Sequence, residues 1–86
     1  MPIVITERFA KAYAKLRRHI QKKVDKALRL LEADFRHPSL RARPIEGTKG
    51  IYEARVNRKH RMTYERDGDR LIMRTVGEHD KTLARP

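Results

Sequence analysis

The spacing of hydrophobic residues changes twice along this chain. Ile3, Val4 and Ile5 form a short β-branched run suited to a buried strand. From Phe9 onward, apolar residues recur at every third or fourth position (Phe9, Tyr13, Leu16, Ile20, Val24, Ala27, Leu28 and Leu31), which places them on one buried face of a helix. Thr6 stands where an N-cap belongs, and Glu7 follows it at the positive end of the helix dipole. A break near Leu16–Arg18 turns this run, long for one helix in an 86-residue chain, into a helical hairpin, although the period alone fits one long helix equally well. Asp34 to Pro38 ends the helical half, because Pro38 disfavours helix at His37.

Beyond this point the period falls to two. Leu40–Ile45 reads as irregular or as an edge strand, since Pro44 lacks the N–H that a central strand needs. Gly47 and Gly50 mark a turn. In Ile51–Asn57, Tyr52, Ala54 and Val56 alternate with Glu53 and Arg55. Arg61–Glu65 alternates likewise, with Met62 and Tyr64 on one face. Asp67-Gly68 supplies a tight hairpin turn, Leu71–Val76 a third strand, and Gly77 its end. The expected fold class is α+β: a short N-terminal strand and a helical hairpin packed on a mainly antiparallel sheet, in the order β-α-α-β-β-β. The free face of that sheet is then expected to carry Glu53, Arg55, Arg61 and their neighbours. No repeat or linker interrupts the chain, so residues 1–86 read as one domain.

Charge changes this picture more than composition does. Hydrophobic and charged residues each make up 38% of the chain, and the net charge is +11. A surplus of that size points to a polyanionic partner. It is unevenly spread: residues 1–40 carry +6, residues 41–66 carry +5, and residues 67–86 are neutral. The middle segment is mostly arginine, whose planar fork grips phosphate through two hydrogen bonds. The absence of cysteine rules out a disulfide framework, a thiolate zinc site and a thiol nucleophile. Apolar runs are too short to span a bilayer and no signal peptide is visible, so a cytoplasmic domain without a membrane role is expected.

The candidate chemistry is narrow. His19, His37, His60 and His79 show no metal-ligand spacing, so neither a metal nor another cofactor is expected. Gly47-Thr48-Lys49-Gly50 is followed by a strand and not by a helix, so it is no phosphate loop. Ser39 is the only serine and lacks the context of a nucleophile. Four of the five aromatic residues, all but Phe35, fall on expected core faces, which leaves little for base stacking. What remains is a set of arginines and one histidine beside a sheet. Such a set suits phosphodiester cleavage without metal: guanidinium groups offset charge on phosphorus while a titratable group moves the proton.

Four runs of sequence resemble the RelE/ParE superfamily of bacterial toxins: Leu40–Gly47 (LRARPIEG), Gly50–Val56 (GIYEARV), His60–Tyr64 (HRMTY) and Val76–Asp80 (VGEHD). The basic helical hairpin and the segment Arg36–Leu40 agree, and the resemblance covers about residues 3–83. It implies a RelE-like fold and a toxin of a type II toxin–antitoxin system. In the RelE-like branch, of the YafQ and YoeB type, such toxins cut messenger RNA in the ribosomal A site by attack of the 2′-hydroxyl on the adjacent phosphate. The ParE branch poisons DNA gyrase instead.

By position, the resemblance makes Arg61 the arginine that stabilises the transition-state phosphate, His79 the acid or base, and Arg55 a phosphate contact. The family's general-base glutamate aligns with Ala42, which leaves either His79 as base or nearby Glu46 as substitute. Asp80 and Leu83 stand where other members place an aromatic and a bulky residue. Arg41, Arg43, Lys49, Arg58, Lys59 and His60 are the expected contacts to RNA and ribosome. The implied partners are the ribosome with its messenger RNA and a cognate antitoxin held in a hetero-oligomer. Two other readings stay open, a gyrase-binding toxin without chemistry and a plain nucleic-acid-binding domain. Arg61 could equally pair with Glu53 or Glu65 across the sheet.

Overall fold

In the computed structural model of residues 1–86, Thr6 is the hinge between the strand-forming and helix-forming parts of the N-terminus. Strand β1 (Ile3–Ile5) ends there and helix α1 (Glu7–Ala14) begins. The Thr6 hydroxyl accepts a hydrogen bond from the Phe9 N–H at 3.1 Å and donates one to the Met73 carbonyl at 2.6 Å. One side chain thus caps the helix and ties it to the sheet. The expected break in the helical run is present: α2 spans Arg18–Ala33 and packs the same apolar stripe. Tyr13 holds the hairpin together, its hydroxyl donating to Asp25 at 2.7 Å. That contact, followed by burial, raises the Tyr13 pKa. After α2, a single 3₁₀ turn (Pro38–Leu40) leads into the sheet.

Five strands make one mixed sheet in the order β1-β5-β4-β3-β2. β2 is Arg43–Pro44, β3 Ile51–Arg55, β4 His60–Asp67 and β5 Arg70–Glu78. β1 runs parallel to β5, and the other pairs are antiparallel. Pro44 is tolerated because its strand lies on the edge. Gly47, Gly50 and Gly68 all take positive φ, as the two turns require. The core joins Phe9, Ile20, Val24, Ala27 and Leu31 of the helices to Leu40, Ala54, Met62, Tyr64, Leu71, Met73 and Val76.

The expected β-α-α-β-β-β order is present, with β1 and β2 on the edges of the three central strands. Two other sequence expectations need correction. The last central strand does not end at Gly77: β5 continues to Glu78, and His79–Ala84 forms a third helix, α3. Six residues carry too little periodicity to be read as a helix in advance.

The second correction is burial of part of the sheet face expected to be free. Thr63, Thr75 and Glu53 are all buried. A bulge contributes: Thr63 pairs with Thr75 and Tyr64 with Met73, leaving Arg74 as the extra residue. Both Thr63 Oγ1 and Arg74 Nε donate to the Pro86 carbonyl, each at 3.0 Å, so the segment after α3 is fastened to this face.

Replacing Thr6 tests the hinge. Thr6→Ala loses both the cap and the bond to β5, and it is expected to lower unfolding free energy by about 1–2 kcal/mol in urea titrations. Thr6→Ser, which keeps the oxygen, is expected to lose well under half of that.

Candidate active site

The site is assembled from the turn between β3 and β4. Asn57 Oδ1 accepts from the N–H groups of Lys59 (2.9 Å) and His60 (2.8 Å) and lies 3.0 Å from His60 Nδ1. This is the local side-chain-to-backbone bonding that makes asparagine a turn residue. Arg61 closes the same turn from inside, its Nη1 donating to the carbonyls of Asn57 (2.7 Å) and His60 (2.9 Å). The Arg61 side chain is only 16% exposed, and its Nε lies 4.0 Å from the buried Glu53 carboxylate. Of the two carboxylates open to it from sequence, Arg61 faces Glu53, while Glu65 pairs with Arg74.

Glu53 is shared. Arg43 Nε reaches it at 3.4 Å from the edge strand. Arg55 stands directly opposite Arg61 across the β3–β4 ladder. Burial lowers the Arg61 pKa most, followed by repulsion from Arg55; Glu53 opposes this, and Arg41 and Arg43 add to the lowering. A guanidinium stays charged through such a shift. Two arginines, Arg43 and Arg61, thus share one carboxylate while Arg55 and Arg41 add their charge at Arg61, leaving a local excess of positive charge of the kind that can hold a phosphate.

α3 brings the histidine. Gly77 lies beside Arg61 in the β4–β5 ladder, and the His79 N–H donates to the Lys59 carbonyl at 2.8 Å. Gly77 lets α3 approach closely: a Cβ there would stand 2.9 Å from Thr82 Oγ1, and Thr82 is buried. At the first position of α3, the His79 ring is 44% exposed, with Nδ1 3.0 Å from the solvent-exposed carboxylate of Asp80. This contact orients the ring and leaves Nε2 for proton transfer.

An open cleft of about 620 Å³, walled entirely by polar residues, unites Arg58, Lys59, Arg61, Glu78, His79 and Asp80. Five of the residues singled out from sequence thus converge. Arg55, Arg41 and Arg43 border this group through the charge cluster around Glu53. Others lie elsewhere. Glu46 and Lys49 are exposed in the turn before β3, at the far end of that strand from Arg55, and β3 itself spans on the order of 13 Å from Ile51 to Arg55. Leu83 is half-buried on α3 outside the cleft.

His60 lines a neighbouring cleft of about 670 Å³ with Lys15, Arg17, His19 and Lys23 of the hairpin, and the two clefts share Arg58, Lys59 and Glu78. Burial lowers the His60 pKa, His19, Lys59 and Lys23 add to this, and Glu78 opposes it.

Sequence reasoning missed Glu78 and Asn57, and it left the burial of Glu53 unread. The asparagine had a visible signal, its place in the four-residue Asn57-Arg58-Lys59-His60 turn. Glu53 had none, since alternation assigns it to a face without saying what covers that face.

The family model for the ParE toxin of type II toxin–antitoxin systems (parDE) matches residues 3–83. No curated protein matches significantly. Solved structures do. The chain is similar to the YoeB/ParE toxin from Agrobacterium tumefaciens, at 20% identity and TM-score 0.74, over 92% of this chain and 99% of that one. It is similar to the RelB–RelE antitoxin–toxin complex from Methanococcus jannaschii, at 20% identity and TM-score 0.75, over 91% and 92%. It is similar to YafQ from E. coli strain BL21(DE3), at 17% identity and TM-score 0.77, over 92% and 93%. At these identities the likeness establishes the RelE-like α+β fold.

Two measurements probe the site's construction. Because the folded state depresses the His60 pKa, the unfolded chain binds more protons between that lowered value and about 6.5. The His60 contribution to stability is therefore complete above about pH 6.5 and declines as the pH falls through this window. His60→Gln should flatten that part of a stability-against-pH curve. In Gly77→Ala, the clash with Thr82 should displace α3, seen as amide shifts concentrated in residues 79–84 with little change in the resonances of the second half of α2.

Proposed function

The chain belongs to the ParE toxin family of type II toxin–antitoxin systems, and we propose that it acts as a ribosome-dependent endoribonuclease that cuts messenger RNA without a metal ion. The supporting observation is the convergence of Arg61 and His79, from separate elements, on one polar cleft. In this reading the 2′-oxygen of one nucleotide attacks the adjacent phosphorus, and the bond to the 5′-oxygen breaks. The products are a 2′,3′-cyclic phosphate and a free 5′-hydroxyl. His79 takes the 2′-hydroxyl proton at Nε2 and, steadied by Asp80 at Nδ1, returns a proton to the leaving 5′-oxygen. Arg61, fixed by the turn carbonyls and Glu53, meets the growing negative charge on the phosphate with Arg55 behind it. Glu46, placed outside the cleft, has no part in the step. The ribosome supplies substrate alignment, which lets a small set of side chains suffice.

The adjoining basic cleft between the hairpin and the β3–β4 turn, with Lys15, Arg17 and Lys23, is the surface for ribosomal RNA. Binding through such contacts weakens steeply with salt. A cognate antitoxin is the expected silencing partner, since solved relatives include toxin–antitoxin complexes such as DinJ–YafQ from E. coli. A groove of about 820 Å³ between α1 and α3, carrying Arg8, Lys11, Lys15, Lys81 and Arg85, offers an acidic segment a place to lie.

A gyrase-directed toxin without chemistry is the second reading. It is favoured by the matching ParE family model.

Purified protein added to a reconstituted translation system separates the two. Primer extension is expected to map cuts within A-site codons, reduced at least about 100-fold in His79→Ala and Arg61→Ala, as for loss of a proton-transfer or charge-stabilising group. Glu46→Gln is expected to cut as wild type. Intact message in the wild type would rule out the nuclease, and inhibition of gyrase supercoiling would then support the second reading.

A further inference from the structure

A separate cleft of about 340 Å³ opens between the segment after α2 and the core-facing side of β3 and β4. Its walls are unusual for so basic a chain. Tyr52 and Tyr64 pair across the ladder with rings stacked, centroids 5.4 Å apart and planes inclined by 14°. Phe35 carries the guanidinium groups of Arg36 and Arg66 over its ring, 5.3 and 5.0 Å from the centroid. Arg41, in a left-handed backbone conformation (φ 46°), also lines the cleft. No acidic side chain lines it, and Arg36, Arg41 and Arg66 make no ion pair within the protein.

Tyr64, which lines the cleft, is itself only 1% exposed. Burial pushes its pKa up to about 12, so it remains an O–H donor.

We propose that this cleft binds one nucleotide of single-stranded RNA, as a subsite distinct from the Arg61–His79 cleft. The base lies against the partly exposed rings of Phe35 and Tyr52 and the guanidinium planes, and the phosphate is held by Arg36, Arg41 or Arg66. Flat aromatic faces with arginines are the pairing by which proteins hold unpaired bases without reading sequence. The volume is that of a small-ligand cleft, roughly 300–1,000 Å³. Arg41 lines this cleft and is also within electrostatic reach of Arg61, so it stands between the two sites. The subsite rests on the reading that RNA is the substrate. An acidic peptide is the competing occupant, but the planar cations and stacked rings suit a base better than a run of carboxylates.

The test uses the full chain and a 2′-O-methyl tetranucleotide, which cannot be cut, with the ring resonances of Phe35, Tyr52 and Tyr64 followed by NMR. Saturable shifts of these rings are expected. The affinity read from them should fall at least about tenfold in Arg36→Gln and in Arg66→Gln, while the rings should still respond in Arg61→Gln. Absence of ring shifts in the wild type, or equal affinity in Arg66→Gln, overturns the subsite. So does a glutamate–tyrosine peptide that moves the rings where the oligonucleotide does not. Silent rings with message still cut in the translation assay remove the subsite alone. Shifted rings with message intact remove the nuclease reading and leave the subsite standing.

Discussion

The active face depends on one close approach, that of α3 to β5 at Gly77. Without a Cβ at that position, Thr82 can be buried against the strand, and the helix lies across the sheet. Its first residue, His79, is then pinned to the Lys59 carbonyl and so to the turn that Arg61 closes. A strand that simply ended at Gly77 would leave the histidine on a loose tail. Continuation to Glu78 followed by a helix start fixes the direction of the ring, and the adjacent Asp80 fixes which nitrogen is free.

Charge is arranged around this frame with a purpose that stability alone does not explain. Glu53 is buried among arginines, and burying charge costs free energy unless it is paired. Here the pairing is deliberately incomplete, because one carboxylate faces Arg43 and Arg61 while Arg55 and Arg41 add further positive charge. A hydrophobic replacement for Glu53 would pack well enough, yet it would leave Arg61 held only by the turn carbonyls and facing its like-charged neighbours.

The +11 charge is likewise not a diffuse coat. Basic side chains gather in grooves: between α1 and α3, between the hairpin and the β3–β4 turn, and around the aromatic cleft near Phe35. The first two share Lys15 and meet the edge of the candidate active site through Glu78. No helix is long and apolar enough to cross a membrane, and the apolar stripe of the hairpin is spent on the core.

The sequence by itself determined the helical run with its cap at Thr6, the exclusion of Pro44 from a central strand, the turns and the alternating central strands. In each of these the deciding interaction lies within a few residues, so period and turn chemistry suffice to read it. It also determined which residue types could carry chemistry, through the arginine-rich middle segment and the solitary His79. Tertiary structure decided how they were grouped. The parallel pairing of β1 with β5 joins residues about seventy apart, and no local pattern encodes it. α3 is too short for periodicity to reveal, and its docking depends on space left at Gly77. Burial of Glu53, exclusion of Glu46 from the cleft, and the meeting of Phe35 with Tyr52 and Tyr64 follow from which elements cover which face. That is a property of the packed chain, set by contacts between residues far apart in sequence.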